Sequence, residues 1–164
     1  MEFSDALATT ALVVSIVSAW LSHKAHREST QFSAREARRE FERERSEFLI
    51  RIERSIKLFE RSASRITYLL TSFEEHPMLA DPSLGKVAKQ LGDDLAYLQG
   101  CLRQSRSLWE ESFEISHDGL AHHKARHLAL LEDDEKFAAA AMDRADRAEK
   151  SLDTYLFLKD PIVG

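Results

Sequence analysis

Apolar residues along the chain follow two different patterns. Ala6 to Ser22 reads ALATTALVVSIVSAWLS, 17 residues without a charge. Its large side chains (Leu7, Leu12, Val13, Val14, Ile16, Val17 and Leu21) do not gather on one stripe, whereas a surface helix of a small bundle keeps a polar face. From Ile52 onward the apolar positions recur as heptads instead. Ile52, Phe59, Ile66 and Phe73 make one row, and Leu49, Ile56, Ala63 and Leu70 make the other. That period predicts a helix with a coiled-coil-like seam.

Two more helices follow by the same reading. His76-Pro77 ends the first, Asp81 is a plausible N-cap and Pro82 a plausible first residue of the second. In the second helix Leu84, Leu91, Leu98 and Ser105 alternate with Ala88, Leu95, Leu102 and Trp109, up to about Ile115. Ser-His-Asp-Gly at 116–119 predicts a second break, with Asp118 capping a third helix from Gly119 to about Leu158. Its seam comprises Leu120, His127, Leu131, Ala138, Ala141, Ala145, Ala148, Leu152 and Tyr155. Five Gly and three Pro in 164 residues leave little turn punctuation, which excludes most all-β folds and favours helices.

The fold class expected is all-α: an N-terminal transmembrane helix continuing through a charged stalk into an antiparallel three-helix, coiled-coil-like bundle. The divisions are 1–22 for the span, 23–47 for the helical stalk and 48–164 for the bundle. At 1.5 Å per residue the uncharged run covers roughly 26 Å, slightly short of a ~30 Å hydrocarbon layer. Two other readings compete for this segment, a cleaved signal peptide and a buried core helix. The acidic start (Glu2, Asp5) argues against the first. Uniform apolarity argues against a half-exposed helix.

Charge refines the picture. Residues 1–65 hold 12 Lys/Arg against 10 Asp/Glu, and residues 66–164 hold 11 against 18. With a net charge of −5, the balance does not suit nucleic acid. Lys24, Arg27 and Arg35 follow the apolar run and are read as headgroup contacts. By the same asymmetry the bundle is expected on the cytoplasmic side of the inner (plasma) membrane and the N-terminus outside. Ala8, Ala11, Ser15, Ser18 and Ser22 are spaced 3, 4, 3, 4, a small-residue face suited to self-association of spans.

Candidate chemistry is sparse. His122, His123 and His127 are the metal-ligand candidates, with His123 and His127, like Asp118 and His122, four residues apart on one helical face. Solvated or seam-edge histidines explain them more simply, and a pH-sensitive helix start is a third possibility. Cys101 reads as a buried spacer rather than a reactive thiol. Trp109 and Phe113 read as core. No phosphate-binding loop, nucleophile elbow or dinucleotide fingerprint occurs, so no enzyme, cofactor or small-molecule substrate is called for.

The expected function is a non-enzymatic, membrane-anchored interaction or scaffold protein. Its partners would be the lipid bilayer and either a second copy or another helical protein. The alternative is a membrane-perturbing effector, such as a pore-forming toxin, defence or lysis component, whose span oligomerises. A His-based metal or pH sensor is the weaker alternative.

Overall fold

A computed structural model describes residues 2–75 and 82–159, with side chains described over 14–75 and 82–156. Three helices make up the described chain: α1 (Glu2–Glu75), α2 (Pro82–Glu114) and α3 (His117–Lys159). The boundaries fall within two residues of those predicted. The break before α3 is only Ile115-Ser116, where the Gly119 N–H donates to the Ser116 carbonyl at 3.1 Å. The predicted cap Asp81 and the break at His76-Pro77 lie outside the described residues.

The chain divides into two compact units, residues 1–44 and 45–164. In the first unit, residues 14–40 of α1 are all exposed. Local pairs lace its surface: Arg38 Nε donates to Glu42 Oε1 at 3.1 Å, and Lys24 lies 3.9 Å from Glu28. Such exposed i,i+4 pairs each add a few tenths of a kcal/mol to a helix.

In the second unit all three helices share one core. Phe59, Ile66, Leu69 and Phe73 of α1 meet Leu84, Leu91, Leu98 and Cys101 of α2 and an alanine row of α3. Ala138, Ala141, Ala145 and Ala148 are at most 3% exposed. Alanine at these positions lets α3 approach its neighbours closely, because no branched side chain holds the backbones apart. Burial of each large aliphatic or aromatic side chain contributes about 1.5–3 kcal/mol.

Polar bridges on the rim fix the register. Arg51 pairs with Glu135, which also accepts from Ser55 Oγ at 2.6 Å, and Arg65 pairs with Glu149. Both ion pairs join residues 84 apart, so α1 and α3 run parallel in a constant register of twelve heptads. Between α2 and α3 the order reverses. Tyr97 bonds Asp134 while Asp94 bonds Arg144, so these two are antiparallel. The up-down-up bundle expected from the heptads is thus observed.

One seam row in each of α1 and α2 differs from the sequence reading. In α1 the buried partners of Ile52, Phe59, Ile66 and Phe73 are Phe48, Ser55, Ser62 and Leu69. Of the expected row Ala63 is buried, while Leu49, Ile56 and Leu70 are only half-buried. In α2 the second row is Asp94, Cys101 and Leu108, with Leu95 and Leu102 half-buried beside it. Both rows lie one residue before the expected one. Ranking positions by apolarity passes over serine and aspartate, yet these polar atoms find partners inside the seam. Ser62 Oγ donates to the Leu58 carbonyl at 3.0 Å, and Ser55 Oγ reaches both the Arg51 carbonyl and Glu135. Trp109 and Phe113, expected in the core, are 38% and 44% exposed.

The expected membrane anchor requires correction. Among the described residues no helix is long and apolar enough to cross a membrane. Seventeen uncharged residues fall short of the ~20 that a spanning helix needs. Five of them, Thr9, Thr10, Ser15, Ser18 and Ser22, carry hydroxyls. The single-pass fold, the outward N-terminus and the inner-membrane location are therefore not supported.

Candidate functional site

Sequence-predicted positions are scattered rather than gathered. Ser15, Ser18 and Ser22 are exposed on α1, while the side chains of Ala8 and Ala11 lie outside the described residues. Lys24, Arg27 and Arg35 are exposed as well. Lys24 Nζ sits 5.6 Å from the Trp20 ring, and the Arg27 carbonyl accepts from Thr30 Oγ1 at 2.9 Å. With the span unsupported, the headgroup role assigned to these cations loses its basis.

The histidines are brought together in part. His122 is exposed, whereas His123 and His127 are half-buried. Their rings lie 4.6 Å apart at 51°, and His123 meets the Phe48 ring of α1 edge-on at 6.0 Å. His123 Nε2 is buried and has no hydrogen-bond partner. Among the described residues no group of three or more His, Cys, Asp or Glu is placed to hold a metal ion. Burial first, then the neighbouring His123 and Arg126, hold the His127 imidazole below its ordinary value, and Glu111 opposes them.

A cleft of about 290 Å³ opens between α2 and α3 beside this pair. Gln104, Ser107, Glu111, His127, Leu130 and Asp134 are among its lining residues. Asp134 is the polar hub on its far side. The Tyr97 hydroxyl donates to Asp134 Oδ1 at 2.9 Å, and this bond is the main reason the phenol is pushed up to about 12. Burial, followed by the charge of Asp134, pushes the Cys101 thiol up to about 12. A thiol so protonated is a poor nucleophile at neutral pH. Cys101 is 3% exposed and packs in the core, as a spacer does.

The most tightly built polar group was missed in the sequence. Asp94 is 2% exposed and accepts from Arg144 Nε at 2.7 Å, from its second guanidinium nitrogen at 2.9 Å, and from Gln90 Nε2 at 3.2 Å. The Arg144 guanidinium also lies 5.4 Å from the Phe137 ring, which packs 4.1 Å from Tyr97. A signal for Asp94 did exist: it falls in heptad step with Cys101 and Leu108. The arrangement has no exposed nucleophile, and its charged groups are tied to one another. Its chemistry is that of a clamp between helices.

No protein-family model, curated protein or solved structure matches the chain.

Proposed function

We propose that the chain acts as a non-enzymatic interaction or scaffold module that associates with itself or with another helical protein. The observation that carries this reading is an aromatic pair on the outside of the bundle. Trp109 and Phe113 stack edge-to-face with ring centroids 4.6 Å apart, and the Arg45 guanidinium lies 5.5 Å from the Phe113 ring. Trp, Tyr and Arg dominate the residues that carry binding energy at protein interfaces. Their exposure outside the shared core favours a partner surface over a packing role. The anchored form of this idea and the pore-forming alternative both required a spanning segment, and neither is retained.

Sedimentation velocity over a micromolar concentration series tests the proposal. Association that weakens in the Trp109→Ala/Phe113→Ala variant, with helicity unchanged, supports it. A monomer at every concentration removes self-association. Association that the variant leaves intact removes the aromatic pair from the interface.

A further inference from the structure

From the packing of His123 and His127 we infer that the first turns of α3 form a proton-operated latch on the bundle, closed when the His127 imidazole is neutral. This goes beyond the proposed interaction role and does not depend on what the bundle binds. His127 occupies a core position of the heptad, midway between Leu120 and Asp134 and two heptads before Ala141. Leu120 and Leu131 are buried, and no residue between them is. Over those three turns the contact of α3 with its neighbours rests on half-buried side chains, chiefly the two histidines.

A neutral imidazole suits that position, and an imidazolium does not. His123 turns an edge toward Phe48, and its buried Nε2 has no acceptor to receive a proton's hydrogen bond. The two rings lie 4.6 Å apart and are half-buried, so a charge on His127 would stand against the His123 ring at close range. The surrounding charges do not offset this. From α2 the facing anion is Glu111. From α1 the contact is Phe48; nearby Arg51 is tied to Glu135, Arg45 lies over Phe113, and Glu47 is already engaged. On α3 itself Lys124 and Arg126 add positive charge, and His122 lies beside them.

The hinge for opening is in place at Ile115-Ser116, the break between α2 and α3. A histidine held below its ordinary value binds its proton more readily in the opened state. The closed form is therefore fully favoured above about pH 6.5, and that preference fades as pH falls toward the native value. Opening uncovers Leu120 and Phe48, each 2% exposed when closed.

Hydrogen exchange on the full chain at about pH 7.5 and about pH 5.5, corrected for intrinsic rates, reads the latch directly. The expected result is a several-fold loss of protection confined to residues 119–127, with 138–152 unchanged. His127→Leu, which places an aliphatic side chain in the same seam, should abolish that loss, and His122→Ala should keep it. Equal loosening of the whole bundle overturns the latch, as does an undiminished acid response in His127→Leu. Should that variant not fold, NMR titration of the native imidazoles decides instead. Opening that tracks the His127 midpoint supports the latch; opening that tracks carboxylate titration overturns it.

Discussion

Replacing Arg144 with methionine is expected to cost more than any other single change on the bundle surface. The substitution keeps most of the aliphatic stem and deletes the guanidinium. It removes two charge-assisted hydrogen bonds, at 2.7 and 2.9 Å, and leaves Asp94 with Gln90 alone. Breaking a buried pair by deleting one partner costs about 3–5 kcal/mol, because the remaining charge stays desolvated. The lower end applies here. Asp94 is 2% exposed, but Arg144 keeps 30% of its surface, so its departure admits some water to the carboxylate. A loss of about 3 kcal/mol corresponds to a melting temperature lower by roughly 10 °C for a bundle of this size. Urea denaturation followed by circular dichroism measures it, as a lower midpoint at unchanged slope. The double variant Asp94→Leu/Arg144→Met should recover most of the loss, since a well-packed apolar pair replaces a buried ion pair at little cost. A cost under about 1 kcal/mol for Arg144→Met, or a double variant no better than the single one, would refute a buried and unrelieved Asp94 charge.

Three further outcomes follow from the packing. Ala141→Leu inserts three carbons where the native side chain is 0% exposed, and should destabilise by about 1–3 kcal/mol in thermal melts; a neutral result would mean that α3 is not closely seated. Gly92→Ala should stabilise by up to about 1 kcal/mol, because a Cβ there meets nothing within 4 Å; a lower urea midpoint would contradict that open space. Cys101 should resist a thiol-specific disulfide reagent at about pH 8 in the native state and react at once in denaturant; fast native labelling would contradict both its burial and its elevated ionisation.

Much of the bundle was legible from the sequence, and the reasons are specific. One row of each seam is apolar throughout its central stretch, so Ile52-Phe59-Ile66-Phe73 and the alanines of α3 announce their faces by period alone. The second rows were misplaced by one residue because Ser55, Ser62 and Asp94 carry no apolar signal. Ser55 and Asp94 are buried with partners supplied by another helix, Glu135 and Arg144, and Ser62 with the Leu58 carbonyl of its own. Trp109 departs from its pattern for the converse reason. A large aromatic at helical spacing looks like core, and only the position of α3 shows that the core is already filled. In the N-terminal run the absence of charge points to a span, while its 17-residue length and five hydroxyls point away from one. The pairing of His123 with His127 was visible as a spacing of four, but the Phe48 contact that gives it meaning crosses 75 positions of chain.

The twin clamps Arg51–Glu135 and Arg65–Glu149 also govern which changes of length the protein tolerates. Residues added within α2 or its connections alter the numbering between the clamped partners but not their height in the bundle. A residue added between Arg51 and Arg65 is different, because one clamp then closes only if the other opens, unless α3 gains a residue between Glu135 and Glu149 as well. Insertions and deletions in these two stretches should therefore survive only when matched on both helices, and in whole sevens so that the seam keeps its face, while the α2 connections remain free to drift.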